Sequence, residues 1–229
     1  MNRLLILLVS TIIFSTLSSA QEKKVKLQFV SFPITTDPKP IELLVGNEII
    51  MTVEIPTNRI SPTYQVNPIS EWILGKSNKN TEGKITFETY GKTPSLNTEK
   101  QLILVMRKGD NDADGFELIA INNDPSNFGG GKYLFFNASK VDISGEIGES
   151  KFSIKPFNYT LIKPTPSEPK DDRKNLYVVT RFLKDPQSNP FYSSTWRYNE
   201  RARCLVFFYD ESFNGRLKIH TIRDYLPER

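Results

Sequence analysis

The densest cluster of potential metal ligands is the stretch Asp110-Asn111-Asp112-Ala113-Asp114-Gly115. It has oxygen-bearing side chains at positions one, three and five and glycine at position six, like the first half of an EF-hand loop. Position twelve falls on Ile121, where an EF-hand needs a bidentate glutamate, and the flanking sequence is strand-like. We therefore interpret the stretch as a polar connection between two strands. Weak calcium binding by Asp110, Asp112 and Asp114 is the alternative, and the sequence suggests no other cofactor.

Nucleophilic or zinc-dependent chemistry would have to use Cys204 and His220, because the chain has one cysteine and one histidine. Cys204 lies in an apolar run, which predicts a buried and inert thiol. His220 shares a strand face with Lys218, which predicts a solvated side chain facing away from Cys204. Acidic residues are plentiful, but no spacing singles out a glycosidase-type pair. The sequence thus favours a protein that is not an enzyme.

An aromatic segment, NPFYSSTWRYNER, offers binding chemistry instead. Planar rings beside arginine and asparagine are suited to stacking and hydrogen bonding with a sugar or a peptide. We interpret Phe191–Arg203 as an exposed loop in which Trp196 is the anchor. Its predicted binding residues are Tyr192, Trp196, Arg197, Tyr198 and Arg201, and Arg203 is a further candidate for holding an acidic partner. In the alternative interpretation, the rings cap one end of the fold and the arginines are solvated.

Residues 1–20 have the pattern of a secretory signal peptide. Arg3 is followed by an apolar core from Leu4 to Leu17, and Ser18-Ser19-Ala20 forms a small-residue cleavage site. The apolar core is shorter than the roughly 20 residues of a membrane span, which favours a cleaved signal over the alternative of a retained N-terminal anchor. We therefore expect residues 21–229 to be periplasmic, secreted or on the cell surface, without a transmembrane segment.

The remaining composition narrows the class of partner. The 30 Lys and Arg residues are interspersed with 26 Asp and Glu residues, so no basic stripe predicts nucleic-acid binding. A single cysteine excludes an internal disulfide, although the chain carries an export signal.

Short apolar or alternating runs between turn residues predict an all-β fold, most simply an antiparallel β-sandwich in a single domain over residues 21–229. Leu102–Met106 and Cys204–Tyr209 are apolar without alternation, which predicts central strands covered on both faces. Asn214-Gly215 predicts a hairpin near the C-terminus. We interpret the Pro-rich stretch 163–174 as a crossing inside this domain rather than a domain boundary. A similarity between 116–136 and 176–208 suggests a recurring β unit.

From about residue 101 to residue 224, the order of GGGKYLFFNAS, ISGEIGESKFSIKP, W-x6-RCLVFFY and GRLKIHTIRD resembles a group of uncharacterised secreted all-β proteins from environmental bacteria. The resemblance implies a bacterial, periplasmic or cell-surface setting and carries no activity or binding residues.

Taken together, these observations predict an exported, non-catalytic binding or assembly protein of the cell envelope, whose partner is another envelope or surface protein. The alternative is a carbohydrate-binding module or β-sandwich hydrolase that acts on envelope polysaccharide. Calcium-dependent adhesion through the aspartate cluster is a third hypothesis.

Overall fold

The computed structural model describes residues 24–32, 41–46, 49–79, 81, 83–108, 115–167, 176–184, 188–211 and 215–227. These residues form sixteen strands. The first eight are β1 (Val25–Phe32), β2 (Ile41–Val45), β3 (Ile49–Val53), β4 (Tyr64–Val66), β5 (Glu71–Lys79), β6 (Ile85–Pro94), β7 (Lys100–Arg107) and β8 (Phe116–Asn122). The second eight are β9 (Tyr133–Asn137), β10 (Ile143–Ile147), β11 (Ser150–Ile154), β12 (Tyr159–Ile162), β13 (Leu176–Leu183), β14 (Tyr192–Tyr198), β15 (Ala202–Asp210) and β16 (Leu217–Tyr225).

The strands build four sheets, each of four strands, and the predicted all-β sandwich-like class is confirmed. We number them in stacking order: sheet 1 is β3-β2-β5-β6, sheet 2 is β4-β1-β7-β8, sheet 3 is β12-β9-β15-β16, and sheet 4 is β11-β10-β13-β14. Sheets 1 and 2 form the first sandwich and sheets 3 and 4 the second. The sequence predicts one sandwich, whereas the chain builds two and packs them together.

Both sandwiches have the same strand order. Each begins with a strand that lies parallel to the seventh strand of its unit, β1 beside β7 and β9 beside β15. The other pairings in the sheets are antiparallel. The structure therefore repeats β1–β8 as β9–β16, a register that differs from the similarity between 116–136 and 176–208 noted in the sequence.

Three apolar layers lie between the four sheets. Leu27 and Ile103 of sheet 2 face sheet 1, and Phe135 and Val206 of sheet 3 face sheet 4. The middle layer joins the sandwiches, because apolar residues of β1, β7 and β8 pack with apolar residues of β9, β15 and β16. The uninterrupted apolar runs in β7 and β15 are thus buried on both faces, as the sequence predicts.

The middle layer has a ring-stacked centre that includes the single histidine. Phe32 of β1 stacks on Phe207 of β15 with ring centroids 4.9 Å apart. His220 lies half-buried beside these two rings, 6.3 Å from Phe32 and 6.2 Å from Phe207. The prediction of a solvated His220 is therefore wrong, because the first sandwich covers the face of sheet 3 that the sequence leaves open.

Two predicted connections can be located. β15 and β16 form the C-terminal hairpin, as predicted, and Gly215 has the positive φ of 62° that its turn requires. The Pro-rich stretch 163–174 connects β12 of sheet 3 to β13 of sheet 4, and residues 168–175 lie outside the described part. In the described part of the chain, we find no helix with the length and hydropathy needed to cross a membrane.

Candidate functional site

The aromatic segment is a strand rather than a loop. Tyr192–Tyr198 forms β14, which pairs antiparallel with β13 in a regular register from Phe182↔Tyr192 to Leu176↔Tyr198. Only residues 199–201 connect β14 to β15. The interpretation of 191–203 as an exposed loop is therefore wrong. The reason is visible in the strand itself, because its even-numbered residues are aromatic or half-buried and its odd-numbered residues are exposed.

Two of the predicted aromatic residues, Tyr192 and Trp196, are partly buried in the second sandwich. The Trp196 indole N–H donates to the Tyr192 hydroxyl at 2.8 Å, which links the two side chains along one face of β14. Trp196 also stacks on Tyr133 with centroids 5.9 Å apart and meets Phe182 edge-on at 5.7 Å. Both rings remain half-buried at the rim of the core. Their orientation is therefore fixed before any ligand arrives.

The remaining predicted binding residues occupy different environments. Tyr198 is only 4% exposed. Burial raises its pKa, with a further contribution from Glu200. Arg197 is exposed on the outer face of the strand. Arg201 is exposed in the connection to β15, where its backbone N–H binds the Asn199 side chain. The structure thus brings Tyr192, Trp196 and Arg197 onto one edge strand and takes Tyr198 into the core.

Arg203 is a structural residue instead of a contact for an external acid. It is 4% exposed, and its guanidinium pairs with Asp224 at 2.8 Å. The same group donates to the Phe128 carbonyl at 2.9 Å and to the Asn123 side chain, and it lies over the Phe128 ring. Since Asn123 and Phe128 lie outside the second sandwich, these bonds connect the two sandwiches.

The edge that β14 forms differs from the equivalent edge of the first sandwich. There, β6 turns toward β8: a Cβ atom on Gly91 would lie 2.7 Å from the Phe116 carbonyl oxygen, and the Tyr90 and Phe116 rings meet edge-on at 5.7 Å. Sheet 1 therefore closes against sheet 2. Within the described residues, β14 and β16 make no comparable approach, and β14 pairs only with β13.

The composition of β14 leaves this edge available. Edge strands usually carry charges or prolines that discourage pairing with another chain. The stretch Tyr192–Trp196 has neither, and Arg197 is the first charge along the strand. Among the described edge strands of five or more residues, β3 has no charge or proline, and β8, β11 and β14 each carry one charge, which in β14 is Arg197 near the end of the strand. β14 is seven residues long and β3 five.

The other predicted sites do not assemble in the described residues. Cys204 faces the core between sheets 3 and 4, whereas His220 faces the middle layer, so sheet 3 separates them. Burial raises the pKa of the Cys204 thiol, which keeps it protonated and unreactive. Asp110, Asp112 and Asp114 lie outside the described residues. Among those residues that are described, no three His, Cys, Asp or Glu side chains cluster as metal ligands.

Comparisons with known proteins do not identify a function for the chain. No protein-family model matches the chain, and no curated protein matches it. The sequence reasoning did not single out Ser193 and Thr195, which are exposed on β14 beside the predicted residues. The signal that identifies them is the period-two alternation from Tyr192 to Tyr198.

Proposed function

We propose that the protein is an exported, non-catalytic binding or assembly component of the bacterial cell envelope, and that it recruits a protein partner at the β14 edge. A segment of the partner adds as a further strand outside β14, so that backbone hydrogen bonds supply most of the affinity. The observation that carries the proposal is the β14 edge, which has no charge from Tyr192 to Trp196 and is left open where the equivalent edge of the first sandwich is closed.

Side chains beside the edge supply the specificity in this proposal. The rings of Tyr192 and Trp196 are held by their mutual hydrogen bond and offer a fixed apolar surface. Arg197 extends from the opposite face of the same strand and suits an acidic residue of the partner. Two faces of the added strand would thus meet two different chemistries.

The experiment is co-purification and cross-linking of the tagged protein from its native envelope, with paired proline variants. Ser194→Pro and Thr195→Pro remove backbone N–H groups that point to opposite sides of β14. One variant disrupts pairing with β13 and lowers the melting temperature. The other removes an outward N–H, which an edge strand tolerates. We expect the better-folded variant of the two to lose the partner.

Matched controls separate the edge from the rest of the surface. Thr52→Pro and Met51→Pro apply the same test to β3, and the better-folded of these should retain the partner. Arg197→Glu should weaken capture, whereas Lys92→Glu, on the closed edge strand β6, should not. Capture that survives both β14 prolines contradicts the proposal. Stabilisation by envelope polysaccharide, without a protein partner, would favour the carbohydrate-binding alternative.

A further inference from the structure

The middle layer between the sandwiches is not apolar along its whole length. At one end, buried Arg203 pairs with Asp224 and donates hydrogen bonds to Asn123 and Phe128. The centre is filled by stacked rings, including Phe32 and Phe207. At the other end, residues of both sandwiches line a cleft of about 820 Å³. Pockets of roughly 300–1,000 Å³ are typical of small-molecule sites, so the cleft has the size of a ligand pocket.

The floor of the cleft is apolar and rigid. Phe32, Met106 and Tyr209 line it, together with the small side chain of Ala138. Phe32 meets Tyr209 edge-on at 5.1 Å and stacks on Phe207, so the floor is fixed by packing in the layer behind it. Because the floor is already ordered, little side-chain entropy is lost when it binds an alkyl chain or a ring.

Phe157 forms a lip of this cleft in a backbone conformation that a bulky residue rarely adopts. Its φ is +58°, and it is the only non-glycine with positive φ among the described residues. Its ring is 50% exposed and lines the cleft. The turn is held by bonds from the Phe157 N–H to the Asn137 carbonyl at 2.7 Å and from the Asn137 N–H to the Asn158 carbonyl at 2.9 Å. Strain of this kind is concentrated at functional sites.

The rim of the cleft carries charges of both signs. Two carboxylates at the end of β15 are engaged: Asp210 accepts the Lys140 backbone N–H at 3.1 Å, and Glu211 lies 3.7 Å from the Lys218 ammonium. The ammonium groups of Lys108 and Lys140 also line the cleft, and among the described residues neither has a carboxylate within ion-pair distance. Glu117 and Arg107, which has an interaction of its own, complete the charged lining, so Lys108 and Lys140 are the two cations placed to meet a head group.

We propose that this cleft binds a single-chain amphiphile with one anionic head group, a carboxylate or a phosphate. The apolar chain lies on the floor beneath the Phe157 ring, and the head group lies between Lys108 and Lys140. Hydrophobic burial of the chain supplies affinity, and the two ammonium groups select the charge of the head. The cleft is independent of the β14 edge, so either assignment stands if the other fails.

Calorimetric titration of the purified protein with four twelve-carbon amphiphiles below their micellar concentrations tests the charge preference. The probes are dodecanoate, dodecyl phosphate, dodecyl maltoside and dodecyltrimethylammonium. We expect one molecule of an anionic probe to bind per chain, at least tenfold more tightly than the cationic probe. Whichever anion binds more tightly identifies the head group. Equal affinity for the anionic and cationic probes, or no saturable binding, would overturn the proposal.

Variants locate the binding in this cleft. Lys108→Ala with Lys140→Ala should weaken anion binding at least tenfold, whereas Lys92→Ala, which removes an exposed lysine on β6, should leave it unchanged. Ala138→Phe fills the floor and should abolish binding of the anionic probe. If the double lysine variant binds dodecanoate and dodecyl phosphate as the wild type does, the cleft is not the site.

Phe157→Asn separates a binding role from a structural one. Asparagine adopts positive φ more readily than phenylalanine, so the melting temperature should stay unchanged or rise. Loss of the ring should nevertheless weaken anion binding several-fold. A variant that melts lower and binds with wild-type affinity would show that Phe157 serves the fold alone.

Discussion

The two sandwiches have the same strand order but end differently at the edge formed by their sixth and eighth strands. In the first, β6 leans onto β8, and glycine at position 91 permits a contact that any side chain would obstruct. A register shift between Leu74 and Gly75 bends the same hairpin. In the second, β14 and its neighbour β13 pair without a register shift, and the edge stays open. A repeated scaffold thus leaves one copy closed and the other available to a partner.

The largest expected effect concerns the contact that makes two sandwiches into one stack. Arg203→Met removes a buried charge from Asp224 and Asn123, and we expect the free energy of unfolding to fall by about 3 kcal/mol. Urea denaturation monitored by tryptophan fluorescence measures the loss. Trp72 reports on the first sandwich and Trp196 on the second, so single-tryptophan variants show whether the two now unfold separately.

A double-mutant cycle is the control for this prediction. In an Asn123→Ala background, Arg203→Met should cost clearly less, because the side-chain hydrogen bond that joins the sandwiches is already lost. Equal costs in the two backgrounds would show that the bond between Arg203 and Asn123 does not couple the sandwiches.

The next effect tests the closed edge directly. Gly91→Val places side-chain atoms against the Phe116 backbone and the Leu118 side chain, and we expect it to cost about 2 kcal/mol by overpacking. Thr195→Val exchanges one exposed β-branched side chain for another of the same size on the open strand β14 and should stay within about 0.5 kcal/mol of wild type. Thermal melts of the two variants measure the difference between the edges. Similar costs would mean that the edges do not differ as described.

A smaller effect concerns the rings at the open edge. Tyr192→Phe removes the acceptor of the Trp196 indole N–H and should lower the free energy of unfolding by about 1 kcal/mol. Tyr159→Phe removes the hydroxyl of a 40% exposed tyrosine and should be close to neutral. Chemical denaturation compares the two variants. If Tyr192→Phe is also neutral, the hydrogen bond does not hold the rings in place.

The strand class was predictable because it depends on local pattern. Uninterrupted apolar residues in β7 and β15 indicate burial on both faces, and an Asn-Gly pair indicates the last hairpin. An Asp-Gly pair, Asp114-Gly115, precedes β8 just as Asn214-Gly215 precedes β16, and this recurrence is a sequence signal for the repeat.

The pairing of the sheets was not predictable in the same way. Which face of sheet 3 meets solvent depends on packing against residues far away in the sequence, as the contact of Phe32 with Phe207 shows. The sequence does not predict β10 as a strand, because Gly145 interrupts its apolar pattern. A side chain at that position would collide with the Phe152 and Phe182 rings, so glycine is needed where the rings cross the strand.

The cleft was missed for a further reason. Its lining comes from both sandwiches, including Met106 of β7, Tyr209 of β15 and the turn at Phe157. No local pattern links these positions, and positive φ at Phe157 is a property of the folded backbone. The sequence therefore suggested a candidate site in the aromatic segment, whose residues are contiguous, and gave no sign of the cleft.

The single histidine, His220, lies at the layer between the sandwiches and should make the stability depend on pH. Burial lowers the pKa of His220 below its usual 6.5, and this outweighs the opposing hydrogen bond with the Thr57 backbone. The unfolded chain therefore binds more protons in the window just below pH 6.5, so the free energy of unfolding rises with pH there. The stabilisation is complete above pH 6.5 and is lost as the pH falls toward the folded-state pKa.

Urea titrations from pH 5 to pH 8 measure this dependence, and His220→Gln should remove it. The variant loses ring contacts with Phe32 and Phe207, so the slope against pH is compared rather than the absolute stability. Thr221→Gln, at the neighbouring exposed position of β16, is the control and should keep the wild-type slope. An unchanged slope in His220→Gln would show that the histidine is solvated, as the strand face that it shares with Lys218 suggests. The face of β16 that carries His220 would then not be covered by the first sandwich, as the stacking of the sandwiches requires.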